Sequence, residues 1–174
     1  MIEARSLTSD DVGIWRALRN EGARLYPAAF IVSYEETAAQ PEEVDARMLD
    51  QGGRFAAFDG AAAVGIAALR PEFFARCRHR GSIGPFYVTT AAQGGGAGRA
   101  LMKALIDHAE ANGIWQLELY VAADNPRAIR FYESFGFQRQ GLLPNAVILV
   151  DGAQDDLFYT LDLRDVENTA AHKA

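Results

Sequence analysis

The segment Gly94-Gly95-Gly96-Ala97-Gly98 places four glycines in five residues, directly before a stretch of apolar periodicity. Backbone without Cβ atoms lets a ligand approach closely. The first turn of a following helix leaves about four N–H groups without internal partners, and the helix dipole makes that end positive. Together they form an anion seat. Arg99 stands at the same end and adds a charge-assisted donor for phosphate. The ligand expected here therefore carries phosphate. A P-loop is excluded, because no lysine followed by a hydroxyl residue comes after these glycines. A dinucleotide fingerprint stays open. Gly96-Ala97-Gly98-Arg99-Ala100-Leu101 lacks its third glycine, yet Glu118 lies about twenty residues on, where a ribose-binding acid would stand. The spacer Thr89–Gln93 speaks against it, since the fingerprint opens at the end of its strand. A glycine loop with no ligand is the third alternative.

The elements that must position this loop are read from periodicity. Ile2–Leu7 is a short strand, and Thr8 to Asp11 caps a helix that carries Trp15, Leu18 and Ala23 and ends at Tyr26-Pro27. Residues 30–40 read as loop or partial helix. Pro41-Glu42-Glu43 opens a second helix to Asp50, with Val44, Arg47 and Met48 on one side. Arg54–Phe58 and Ala62–Leu69 form a hairpin across Asp59-Gly60. Ser82–Val88 is a strand interrupted by Gly84-Pro85. Gly94–Asn112 is the clearest helix, stopped by Gly113. Ile114–Val121 alternates as a strand. Asn125-Pro126 caps a helix whose buried stripe is Ala128, Ile129, Tyr132 and Phe135, ended by Gly136. Phe137–Leu143 and Asp156–Leu163 close the chain as strands, and Val166–Ala174 is expected to fray. The class is mixed α/β, with one domain over residues 1–165.

Composition sets outer limits. The chain has 174 residues, 49% of them hydrophobic, and a net charge of −6, which fits a folded domain and disfavours a nucleic-acid partner. Its single cysteine, Cys77, excludes an internal disulfide. His79, His108 and His172 are scattered without metal-ligand spacing, so no metal is expected. The N-terminus lacks a signal-peptide profile, and no apolar run reaches the ~18–20 residues of a membrane span. A cytoplasmic protein with no membrane partner is expected.

Two blocks carry a family resemblance. Gln93-Gly94-Gly95-Gly96-Ala97-Gly98 resembles the Gln/Arg-x-x-Gly-x-Gly/Ala signature of the GNAT superfamily of N-acetyltransferases. Asn125 through Phe137 is similar to that family's Asn-x-x-Ala-x-x-x-Tyr-x-x-x-Gly-Phe segment. Tyr26-Pro27-Ala28-Ala29-Phe30, Ser33-Tyr34-Glu35-Glu36 and Arg78-His79-Arg80 resemble a poorly characterised bacterial branch. The resemblance implies a single-domain fold with a mostly antiparallel mixed sheet of about seven strands, a splayed central parallel pair and about four flanking helices. It implies acetyl-coenzyme A as donor. Pantetheine would pair with backbone at Phe86, Tyr87 and Val88. Pyrophosphate would rest on Gln93, Gly94, Gly95, Gly96, Ala97, Gly98 and Arg99. Asn125, Ala128 and Tyr132 would face the pantetheine arm.

Acetyl transfer to an amine requires a neutral amine, a donor to the developing oxyanion and a proton for the leaving thiolate. A backbone N–H near Val88 suits the oxyanion. By resemblance Tyr132 is the general acid, although its helical spacing equally suits a core aromatic. Glu118, on the strand beside the splay, is the candidate base, with water as the alternative. Tyr26, Phe30, Glu35 and His79 are the candidate acceptor-binding residues. The acceptor is a small-molecule amine or a protein or peptide amine, and a homodimer is compatible with the family. A coenzyme-A-binding module without transfer activity is the alternative function.

Overall fold

The computed structural model describes residues 1–164. The expected frayed tail from Val166 lies outside the described residues. The chain divides into two compact units. The first comprises Met1–Arg70 and Ile83–His108; the second comprises Pro71–Ser82 and the segment from Ala109 onward.

In the first unit, β1 (Ile2–Ser6) pairs antiparallel with β2 (Arg54–Asp59), and β2 with β3 (Ala62–Pro71). The expected β2–β3 hairpin forms, but Asp59 pairs with Ala62, so the turn is Gly60-Ala61, one residue later than Asp59-Gly60, with Gly60 at φ +60°. Helix α1 (Val12–Leu25) follows a capped turn in which the Thr8 amide donates to Asp11 Oδ2 at 3.1 Å. Trp15, Leu18 and Ala23 of α1 pack with Leu7, Leu49, Ile66 and Tyr87 into the core of this unit. Five α-helices occur among the described residues, against about four expected. The extra one is α2 (Tyr34–Ala39), in the segment read as loop or partial helix. Its cap is reciprocal: Glu36 N donates to Ser33 Oγ at 3.2 Å, and Ser33 N donates to Glu36 Oε2 at 2.8 Å.

Helix α3 (Glu42–Asp50) turns a different face inward from the one its apolar residues suggested. Asp45 is fully buried beside Leu49. It accepts from Arg16 at 2.6 Å, from Gln40 at 2.6 Å and from both terminal nitrogens of Arg19. Hydrophobicity alone assigns such a carboxylate to solvent. Two arginines on α1 invert that preference by supplying the charge that burial otherwise forbids.

Strand β4 (Arg80–Val88) begins two residues before the expected Ser82. Its first residues, Arg80–Ser82, belong to the second unit, where they pair parallel with Gln116–Glu118 of β5 (Gln116–Ala122). The ladder with β5 is registered over these three pairs. Strand β7 (Gly152–Asp162) pairs antiparallel with β5 and with β6 (Gln138–Leu149). The strand order is β1-β2-β3-β4-β5-β7-β6. This mixed, mostly antiparallel sheet with one parallel pair agrees with the expected architecture.

Two expectations in the second unit are corrected. Strand β6 continues beyond Leu143, through Pro144. The register jumps between Leu143 and Val147, where Asn145 takes φ +53° and its amide donates to Asp155 Oδ1 at 2.8 Å. A bulge therefore carries the strand past this proline. Helix α5 (Pro126–Glu133) carries no fully buried residue, so its apolar stripe is only partly covered. With eight residues it is too short to wrap a core.

Candidate functional site

The glycine loop lies in the first unit. Helix α4 (Ala97–Ala111) starts three residues later than the expected Gly94. Gly94 at φ +84° and Gly96 at φ +99° occupy backbone regions that side-chain-bearing residues avoid, so the glycines make turns instead of helix. A Cβ built on either would meet open space, which shows that the loop's outer side is uncovered. Gln93 pins the loop to the end of β4, its side-chain nitrogen donating to the Val88 carbonyl at 3.1 Å. Gly95 N donates to Ala92 O at 3.1 Å, and Ala100 N donates back to Gly96 O at 3.0 Å. Among the described residues, the amides of Gly94, Gly96, Ala97 and Gly98 find no acceptor in the protein. Ala97 is buried and Leu101, Met102 and Leu105 anchor α4, so these donors are held on a fixed helix start. Arg99 is exposed on the first turn. The loop thus presents amide donors at its outer side, next to the Arg99 side chain.

Tyr87 and Val88 continue β4 above the loop. Tyr87 is buried, whereas Phe86 and Val88 are partly exposed. The Tyr87 hydroxyl donates to Glu21 Oε1 at 2.6 Å, and burial together with Glu21 pushes its pKa up. Tyr26 and Phe30 flank the same ring, with centroids 6.0 and 6.4 Å away. The Tyr26 hydroxyl lies 2.8 Å from Thr90 Oγ1, at the foot of the loop. Two of the expected acceptor residues are thus gathered around Tyr87. Glu35 is exposed on the first turn of α2.

The Asn125–Phe137 block lies in the second unit. Asn125 caps α5, its Oδ1 accepting from Ala128 N at 3.0 Å. Its side-chain nitrogen meets no acceptor among the described residues. Tyr132 packs against Phe131 and Phe137, with ring centroids 5.4 and 5.8 Å away. Desolvation of its phenol raises its pKa above the ordinary tyrosine value, so it is a protonated donor across neutral pH.

Glu118 is buried, and its environment makes it a poor base. Arg80 Nη2 donates to Oε2 at 2.8 Å, Arg80 Nε donates to Oε1, and Gln116 Nε2 donates to Oε1 at 2.7 Å. The Arg80 bonds hold its pKa below the usual carboxylate range. The candidate base is thus an anion paired with Arg80 across the β4–β5 step. His79 stacks on Trp115 at 4.3 Å, and its carbonyl accepts from the Trp115 and Gln116 amides at 3.0 Å each. Its ring is built into a stack, and Arg164 lies over the same indole at 3.5 Å.

Sequence reasoning missed Glu21 and Arg80. Glu21 lies three residues after Leu18 and next to Gly22, on the flank of the buried face of α1, which was the available signal. Arg80 entered the sequence reading only within the block Arg78-His79-Arg80. Only the strand register puts it diagonal to Glu118.

Comparison with known proteins settles the class. Residues 15–137 match the family model described as Acetyltransferase (GNAT) family. The chain belongs to the GNAT acetyltransferase family. This membership removes the dinucleotide reading of the glycine loop. A GNAT acetyltransferase from Streptococcus pneumoniae shares the fold with a TM-score of 0.84 at 19% identity, covering 93% of this chain and 99% of that one. A GNAT phosphinothricin acetyltransferase from Sinorhizobium meliloti, solved with acetyl-coenzyme A, has a TM-score of 0.80 at 20% identity, with 93% and 88% covered. Among curated relatives, a mycothiol acetyltransferase from Gordonia bronchialis is 36% identical over 108 residues, which are 58% of this chain and 32% of that protein. A ribosomal protein bS18-alanine N-acetyltransferase from Escherichia coli K12 is 40% identical over 68 residues, 39% of this chain and 46% of that protein. The chain thus matches less than half the length of these curated GNAT relatives. No helix among its described residues is long and apolar enough to cross a membrane.

Proposed function

We propose that this chain transfers an acetyl group from acetyl-coenzyme A to a primary amine by direct attack in a ternary complex. The observation that carries the reading is the cradle of uncommitted amides at Gly94, Gly96, Ala97 and Gly98, ending at Arg99, in a chain of this family. These groups would hold the donor's pyrophosphate. Main chain at Phe86, Tyr87 and Val88, together with Asn125 and Ala128, would hold its pantetheine arm. Bound acetyl-coenzyme A supplies a thioester whose carbonyl carbon accepts the amine nitrogen, forming the C–N bond as the C–S bond breaks.

Tyr132 gives its hydroxyl proton to the sulfur as that bond breaks and regains one from solvent. Its raised pKa keeps the proton available at neutral pH. The proton leaving the amine passes to water, because Glu118 is committed to Arg80. Positioning of the two reactants then carries much of the rate. The curated relatives divide between a small-molecule acceptor and an alanine of a ribosomal protein. Both remain acceptor classes for this chain, in a cytoplasmic setting.

Calorimetric titration with acetyl-coenzyme A tests the donor half, and coenzyme A release across a panel of amines and peptides tests transfer. Saturable binding with amine-dependent release is expected. Absence of binding at millimolar acetyl-coenzyme A would sink the proposal. Binding without release from any acceptor would favour a coenzyme-A-binding module.

A further inference from the structure

Glu21 stands out among the carboxylates of the first unit. Asp45 is gripped by Arg16 and Arg19, and Asp11 by Arg5 at 2.7 and 2.8 Å. Glu21 is partly buried, yet it has no ion-pair partner among the described residues. One of its oxygens accepts the Tyr87 hydroxyl. No hydrogen bond within the described residues reaches the other.

The surroundings are aromatic. Tyr87, Tyr26 and Phe30 form a contiguous ring cluster beside this carboxylate. Gly22 makes the arrangement fit. A Cβ there would lie 2.5 Å from the Phe30 ring tip and 2.9 Å from the Tyr87 ring, so both rings seat directly on the backbone of α1. Tyr26 is 36% exposed, which leaves the cluster open on its side.

A carboxylate with a spare oxygen beside an aromatic cluster that is open at Tyr26 selects an ammonium group. The negative charge repels anions, the rings attract cations, and the spare oxygen takes an N–H. The same charge stabilises the protonated form of any amine it holds. An amine held protonated has no lone pair for attack. The group held here is therefore not the one acetylated.

We propose that Glu21, Tyr26, Phe30 and Tyr87 form a subsite for a second, non-reacting ammonium group of the acceptor, so that the preferred acceptors are diamines and other amines with a spectator cation. The subsite deepens the acetyl-transfer reading and rests on it for the fate of the other amine.

Two experiments separate the subsite from that reading. In the first, NMR follows the aromatic resonances of the full chain, with no acetyl-coenzyme A present, during titration with methylammonium and with neutral methanol. Saturable shifts with the cation alone are expected, weakened about tenfold in Glu21→Gln, whose amide oxygen still accepts from Tyr87. Tyr26→Ala, which removes an exposed ring, should weaken binding about threefold. No saturable shift, or equal affinity in wild type and Glu21→Gln of equal melting temperature, overturns the subsite whether or not acetyl-coenzyme A binds. In the second, coenzyme A release is compared for 1,4-diaminobutane and butylamine. Wild type should favour the diamine by about tenfold in kcat/KM, through KM, and Glu21→Gln should abolish the preference with kcat retained. A preference unchanged by Glu21→Gln overturns the subsite while leaving acetyl transfer intact.

Discussion

Arg80 on β4 donates to both carboxylate oxygens of Glu118 on β5, diagonally across the parallel step where the two strands pair. The bond lowers the Glu118 pKa relative to the unfolded chain. A carboxylate with a depressed folded-state pKa contributes stability above its unfolded value and loses it as pH falls through the folded one. That contribution should therefore be fully present above about pH 4.5 and fade below it. Melting temperatures of wild type and Glu118→Gln should converge as pH drops from 6 to 3. A gap that stays constant would show that the ion pair adds nothing. The same variant should keep its kcat within about threefold if Glu118 takes no proton in catalysis.

Gly96 offers a test of the phosphate seat that separates charge from backbone strain. At φ +99° any side chain costs conformational energy, and asparagine tolerates positive φ better than most. Gly96→Asn and Gly96→Asp are nearly isosteric, so their difference isolates the charge. Calorimetry should find the aspartate variant at least about tenfold weaker for acetyl-coenzyme A than the asparagine variant. Equal affinities would move the pyrophosphate elsewhere.

Tyr132→Phe removes the hydroxyl and keeps the ring that packs on Phe131 and Phe137. Turnover should fall by about a hundredfold or more, while the dissociation constant for acetyl-coenzyme A changes by less than about threefold. Because burial raises the pKa of the acid, wild-type kcat should show no alkaline decline from this group below pH 10. Unchanged turnover in the variant would return Tyr132 to a packing role.

Asp45→Ala would leave Arg16 and Arg19 without their shared partner at a site where the carboxylate is fully buried. Removing one member of a buried ion cluster costs about 3–5 kcal/mol. Urea denaturation should register that loss, whereas Asp107→Ala, which breaks the exposed pair with Lys103, should cost less than about 1 kcal/mol.

Periodicity and turn chemistry made most of the fold legible. The β2–β3 hairpin at Gly60, the start of α5 at Asn125 and its stop at Gly136 follow from local rules that tertiary packing did not overrule. The glycine turn and the helix start that follows it were legible because their physics is local. The ion pairs of Asp45 and Glu118 were not, because their arginine partners on α1 and β4 lie 26 and 38 residues away. The extension of strand β6 past Leu143 was not legible, because the bulge secured by Asp155 is invisible until the strands are paired. Glu21 was passed over because it touches Tyr87 across 66 residues, a distance at which spacing carries no information.

The interruption at Pro144 and Asn145 has a bearing on solubility. Strand β6 is the outermost strand at its end of the sheet, and it exposes Leu142, Leu143 and Ile148. A straight apolar strand in that place would template pairing with another chain. Proline lacks the amide such pairing needs, and the left-handed turn at Asn145 bends the strand out of line. Straightening the segment, by Pro144→Val with deletion of two bulge residues, should convert a tolerated apolar edge into a nucleus for fibrous association.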